Sequence, residues 1–187
     1  MKYGFSEIRT DCDHEKGGMN MSEIIIRHMS EKDIPECVDV IRASFKTVAD
    51  EFGFTEENAP GFTAFATDDN RIRYQFLEEH RPMYVYLEGG KIVGYYSLGI
   101  LNENEIELNN LAVLPEYRHK GIGRKLVEDT LVRVKAMGAG KIKIGIVEEN
   151  QVLRKWYESL GFIHTGSVKY DFFPFTCGYM EAEVNEA

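Results

Sequence analysis

The chain has little cysteine, little proline, one tryptophan and no long apolar run. Its 187 residues include three cysteines and five prolines. Cys12, Cys37 and Cys177 are odd in number and form no motif, which argues against a disulfide framework and fits a reducing cytoplasm. No apolar stretch reaches the roughly 18 residues that cross a bilayer, so no membrane span is expected. The start, MKYGFSEIRTDCDHEKGG, has no continuous apolar segment, so no secretory leader is expected either. Positive charge is also scarce: 22 Lys and Arg stand against 31 Asp and Glu, a net charge of -9. That balance is poor for general nucleic-acid binding, where cations on phosphates supply the affinity. It suits a cationic partner, and it equally serves solubility. The cluster DCDH at 11–14 could ligate a metal by composition, but no second cluster has matching spacing, and no metal is expected.

What is present is the composition of a packed domain, 43% hydrophobic and 28% charged. Residues 1–20 are polar and read as an extension, with a single domain over 21–187. EIIIR at 23–27 predicts a first strand. Ile34, Val38, Ile41 and Phe45 then make a helical stripe, with Ser30 as N-cap, Asp33 three residues on and Pro35 in the first turn. The stretch from Thr47 to Asp69 reads as irregular, and 70–80 as a helix. PMYVYLE and KIVGYYSLGIL predict a hairpin around Gly89-Gly90, and NEIELNNLAVL predicts a third strand beside it. A helix over 119–137, a strand KIKIGIV, a helix QVLRKWYESL and two closing strands complete the order βα(α)βββαβαββ. This is an α/β architecture with a mixed sheet.

Within that order, PEYRHKGIGRKL at 115–126 concentrates positive charge and two glycines where a strand turns into a helix. The first amides of a helix have no partner within it and, with the helix dipole, form an anion site. Gly121 and Gly123 would let a bulky anion approach the backbone. Arg118, His119, Lys120, Arg124 and Lys125 would raise the local potential. A glycine-eased turn with solvated charges is the plainer reading of the same residues. A phosphate loop of the form G-x-x-x-x-G-K-[ST] is absent, and the dinucleotide fingerprint G-x-G-x-x-G is incomplete.

LAVLPEYRHKGIG closely resembles the acetyl-CoA signature of the GNAT family of N-acetyltransferases, whose [Q/R]-x-x-G-x-[G/A] core falls on Arg118 to Gly123. NQVLRKWYESLGF at 150–162 resembles the family's second signature, an Asn, a Tyr seven residues later and then Gly-Phe. The likeness extends over about residues 23–184, and EFGFTEENAPGFTAF and PFTCGYMEAEV look like a set of small bacterial members without an established substrate. The resemblance implies a mixed, mostly antiparallel central sheet flanked by helices on both faces. It implies acetyl-CoA as co-substrate, no metal, and transfer of the acetyl group to a primary amine by direct attack on the thioester. The acceptor would be a small amine or a peptide amine, in the cytoplasm; family members often pair, which leaves a homodimer open. An acyl-CoA sensor or interaction module with the same fold is the alternative.

Residue by residue, the resemblance assigns Leu111, Ala112 and Val113 to the pantetheine arm. It assigns Arg118, His119, Lys120, Gly121, Ile122, Gly123 and Arg124 to the pyrophosphate, and gives Asn150 a cofactor contact. Tyr157 matches the residue that protonates the departing thiolate, and Glu107, fourteen residues before Gly121, matches a general base of some members. The chemistry needs both kinds of group. An ammonium must lose a proton before attack, and a carboxylate can take it. Strand-bulge amides could steady the oxyanion. A phenol with pKa about 10 can donate to a thiolate. Other readings remain beside these: Glu107 as solvent-facing, Tyr157 as core, Asn150 as N-cap. For the acceptor, Phe45, Phe52, Phe54, Phe62 and Phe65 with Asp50, Glu51, Glu56 and Glu57 would suit a cationic amine with an apolar body, or would be packing. Tyr84, Tyr86, Tyr95 and Tyr96 are candidates to line the same cleft.

Overall fold

The computed structural model describes residues 24–184. The extension 1–20, with Cys12 and the metal candidate at 11–14, lies outside the described residues, as do 21–23 and 185–187. The chain opens with β1 (Ile24–His28) and a 3-10 turn over Glu31–Asp33, which leads into α1 (Ile34–Phe52). Asp33 makes this entry: its carboxylate accepts from the Ser30 amide and hydroxyl, both at 2.7 Å, and from Arg27 at 2.7 and 3.0 Å. Those donors hold the Asp33 carboxyl well below the usual carboxylate range, the Arg27 bond contributing most.

α1 continues seven residues past Phe45, so the first part of the expected irregular stretch is helical. The apolar stripe continues through buried Ala49, and Gly53, left-handed at φ 71°, ends the helix. Two short helices follow, α2 (Thr63–Ala66) and α3 (Asp69–Leu77), the latter capped by Asp68, whose carboxylate accepts from the Arg71 amide at 2.7 Å.

β2 (Met83–Glu88) and β3 (Lys91–Ile100) are joined by Gly89 and Gly90 at φ 60° and 82°. Then come β4 (Glu105–Val113), α4 (Ile122–Ala136), β5 (Lys141–Val147), α5 (Gln151–Glu158), β6 (Ile163–Lys169) and β7 (Thr176–Glu183). α4 begins three residues later than the sequence suggests, because His119 and Gly121 are left-handed at φ 61° and 82°. Among the described residues, seven strands form one sheet in the order β1-β2-β3-β4-β5-β7-β6. Only β4 and β5 run parallel; every other neighbouring pair is antiparallel.

The two faces differ. Gly94 turns to α4, where an added Cβ would lie 3.1 Å from Leu126 Cδ1. Tyr95 turns the other way, toward Cys37 of α1. Tyr84, Tyr86, Tyr95 and Tyr96 are all buried core residues and line no cleft. Tyr96 hydrogen-bonds Asp129, and Arg133 lies 4.0 Å over the Tyr84 ring. Along β4, β5 and β7, Ile106, Leu108, Ile142, Ile144, Met180 and Ala182 are buried. Glu105, Glu107, Lys141, Lys143, Glu181 and Glu183 take the alternate positions on the opposite face. A second core joins Ala49, Phe54, Phe62, Val147 and Phe175 beyond this charged face. Phe45, Phe52 and Phe65 pack against it, so the candidate phenylalanines of the α1–α2 region serve packing.

Candidate active site

The centre of the sheet is a fork. β4 and β5 pair only at Glu105–Lys141, Ile106–Ile142 and Glu107–Lys143, then run on without a shared ladder. The cause lies in β4. Its pairing with β3 places Ser97 opposite Asn109 but Tyr95 opposite Ala112, so β4 carries an extra residue. Asn110 is left-handed at φ 53°, as a bulge tolerates in asparagine. Past the bulge, Ala112 and Val113 keep β3 on one side, and among the described residues the β5 side of Leu111–Val113 has no strand partner. Glu107 stands at the last paired position of the fork. It faces the charged side of the sheet opposite Gly99, where an added Cβ would lie 3.7 Å from the Glu107 carboxylate and 2.8 Å from Asn109 Nδ2.

The basic loop sits at the open end. The first helical hydrogen bond of α4 runs from the Lys125 amide to the Gly121 carbonyl, 3.1 Å. The amides of Ile122, Gly123 and Arg124 precede it and have no acceptor within the helix. His119, Lys120, Arg124 and Lys125 are exposed, with Lys120 Nζ 4.7 Å above the Tyr117 ring. Arg118 behaves differently. Its guanidinium turns inward and donates to the Val113 carbonyl (3.2 Å), Thr47 Oγ1 (2.9 Å), the Ser44 carbonyl (2.8 Å) and Ser44 Oγ (3.0 Å). It is a strut from the loop to α1. The two glycines also divide their work. Gly121 supplies the left-handed turn with open space at its Cβ position. The missing Cβ of Gly123 is room for Trp156, whose ring atoms would lie 3.2 and 3.4 Å away, so this glycine lets α4 and α5 approach.

α5 brings the second signature alongside. Asn150 is its N-cap, accepting from the Leu153 amide at 2.9 Å. Tyr157 is buried with its ring edge-on to Trp156 and Phe162, at 4.7 and 5.3 Å. Burial pushes the Tyr157 phenol up from its ordinary value. One cluster here was invisible in the sequence: the Glu148 carboxylate bonds both His164 Nε2 and Arg154, each at 2.9 Å, just before Asn150. Arg154 on α5 and His164 on β6 lie 6 and 16 residues from Glu148, which sits in the turn after β5. Among the described residues, no group of three His, Cys, Asp or Glu side chains could hold a metal ion, and no helix is long and apolar enough to cross a membrane.

A forked sheet, unpartnered amides at a helix start and a capped second helix coincide with both sequence signatures. The model of the acetyltransferase (GNAT) family matches residues 46–162. The chain belongs to the GNAT family. Its similarity to proteins named N-acetyltransferases agrees with an acetyl-CoA-dependent acyltransferase. An uncharacterized N-acetyltransferase of Lactobacillus delbrueckii subsp. lactis is 23% identical over 152 residues, covering 75% of this chain and 85% of that one. Thialysine N-epsilon-acetyltransferase of Sus scrofa is 25% identical over 149 residues, with the same 75% and 85% covered. Among solved structures, the PaiA N-acetyltransferase of Thermoplasma acidophilum, in complex with coenzyme A, superposes with a TM-score of 0.73 at 21% identity, covering 86% of this chain and 99% of that one. YncA of Salmonella typhimurium, with acetyl-CoA, gives 0.66 at 22% identity, covering 88% and 95%. At these identities the superpositions speak to the fold: this GNAT chain has the family's sheet with helices on both faces.

Proposed function

We propose that this GNAT enzyme moves an acetyl group from acetyl-CoA to a primary amine by direct attack, with Glu107 as base and Tyr157 as proton donor. The observation that carries the reading is the fork. Among the described residues it leaves one side of Leu111–Val113 without a strand partner, between Glu107 and the first α4 amides, which have no acceptor within the helix.

The residues fit the cofactor. The backbone of Leu111, Ala112 and Val113 would take the pantetheine arm as an added strand. The amides of Ile122, Gly123 and Arg124, with His119 and Lys120 in the loop and Gly121 shaping it, would take the pyrophosphate. Arg118 would contribute its backbone there, since its side chain is spent on α1. Asn150 would reach the cofactor from the α5 cap. Acetyl-CoA supplies a thioester carbonyl open to an amine and a thiol as leaving group.

The chain's own work is with protons. Glu107 takes one from the incoming ammonium at a carboxylate oxygen, directly or through water. Tyr157 holds one at its hydroxyl oxygen; a phenol is neutral at physiological pH, the state a donor requires, and burial favours that neutral form further.

Thiol release measured against a panel of amines tests the reading. Glu107→Gln should lower kcat by about 100-fold and Tyr157→Phe by a similar factor. Acetyl-CoA affinity should hardly change in either. Binding of acetyl-CoA without thiol release for any amine would defeat the acetyltransfer assignment. Full turnover in Glu107→Gln with an unchanged pH profile would assign the proton to another acceptor.

A further inference from the structure

The face that carries Glu107 also carries a pair of tyrosines. Tyr179 on β7 pairs with Gly145 on β5, two residues beyond the Lys143 that pairs with Glu107, so all of these positions share one face. Among the described residues, an added Cβ at Gly145 would meet nothing within 4 Å, which leaves the floor between Glu107 and Tyr179 open. The Tyr179 hydroxyl lies 3.0 Å from the Tyr170 hydroxyl. Tyr170 in turn stacks on Phe172, ring centroids 5.2 Å apart, and Phe172 is 69% exposed.

A lone exposed phenylalanine means little. This one ends a run of rings rooted in the core. Phe172 contacts Phe173 at 4.7 Å, Phe173 stacks on Phe175 at 4.7 Å, and Phe175 meets Phe54 at 4.9 Å. Phe175 and Phe54 are buried and Phe173 is half-buried, with Gly61 leaving room for it, 3.5 Å from its Cβ position. The outer rings are therefore braced from behind at the edge of an open floor.

The charges on the face narrow the ligand. Lys141 pairs with Glu181 at 2.7 Å and Glu183 at 3.5 Å, and Lys143 with Glu105 at 2.7 Å. Both β5 lysines of the face are thus spent on carboxylates, while Lys169, next to Tyr170, donates to the Phe173 carbonyl at 3.0 Å behind the aromatic rim. What it offers is Glu107, two phenol oxygens with acceptor lone pairs, and aromatic surface. The bond to Tyr170, then burial, push the Tyr179 phenol up to about 12, so it remains a neutral hydroxyl. Such a set accepts hydrogen bonds from an ammonium and packs against an apolar body. Glu107 disfavours a carboxylate carried beside the amine.

We propose that Tyr179, Tyr170 and Phe172 form the acceptor subsite, and that it takes a primary ammonium on an apolar body with no carboxylate beside the amine. The proposal rests on amine acetylation at Glu107. Two matched probes test it with the full chain and acetyl-CoA: 2-phenylethylamine, and phenylalanine, the same amine with a carboxylate added. 2-Phenylethylamine should have a kcat/KM at least about tenfold higher. Tyr179→Phe and Phe172→Ala should each raise its KM by about fivefold or more, with the KM for acetyl-CoA and the melting temperature unchanged. Preference for phenylalanine, or an acceptor KM within about twofold of wild type in both variants, would overturn the subsite. If neither probe is acetylated, calorimetry of 2-phenylethylamine with coenzyme A-loaded protein decides. Binding that Tyr179→Phe weakens by about fivefold upholds the subsite while the function at Glu107 falls; no binding overturns the subsite.

Discussion

Arg118 shows how a motif residue can act through its side chain in a way its motif does not announce. In a basic loop the guanidinium would be expected to serve the anion. Instead it bonds the end of β4 and two residues of α1, and burial lowers its pKa. Replacing it removes charge-assisted bonds to two carbonyls and two hydroxyls. Arg118→Ala should cost about 2 kcal/mol of stability, read as a lower urea midpoint at constant m-value. Thr47→Val should cost less, and the double variant should fall short of the sum, because the two residues share one bond. A strictly additive pair would show that the contact contributes nothing.

At the scale of elements, local chemistry was legible and contacts between distant segments were not. Gly89-Gly90 between alternating strands predicted a tight hairpin, and both residues are left-handed as that turn requires. The isoleucines of KIKIGIV predicted a strand with one buried face, and Ile142, Ile144 and Ile146 are buried. Both signatures landed on the elements expected of them. The end of α1 was missed because its acids and glycine suggested a loop, although Gly53 is itself the helix stop. A strand bulge was expected from the family resemblance, but its place at Asn110 was not legible, because a bulge is a mismatch of two strands and leaves no mark on one. The Tyr170–Tyr179 bond was missed for the same kind of reason: alternation could place Tyr179 with Glu181 and Glu183, but nothing local brings Tyr170 to it.

Gly123 is the clearest case. Its sequence position suggests a gap for phosphate, yet what fills its Cβ space is Trp156, 33 residues later. That ring is the protein's single tryptophan, so its fluorescence reports on this contact. Gly123→Val should press on the indole, shift its emission and cost about 1–3 kcal/mol of stability. Unchanged emission and stability would mean that α5 yields freely and that the glycine serves the anion alone.

Across the whole molecule, positive charge is concentrated against the trend. A chain of net charge -9 exposes His119, Lys120, Arg124 and Lys125 around one helix start. The local field can attract an anion that the molecule as a whole repels. The sheet beneath that loop is similarly divided. β1 to β4 form one ribbon, β5 to β7 another, and three residue pairs join them. A strand in the middle of a seven-stranded sheet should surrender its amide protons only when the whole structure opens. β4 should not behave uniformly. Before the fork, Ile106 and Glu107 should exchange slowly with deuterated solvent. Beyond it, any amide of Leu111–Val113 that points away from β3 should exchange by small local openings, although Ala112 and Val113 are themselves buried. Acetyl-CoA should slow those amides by about 100-fold or more while leaving β1 and β2 nearly unchanged. The seam would then be the place where the enzyme's two ribbons become one cooperative unit, with the substrate supplying the hydrogen bonds that the chain leaves out.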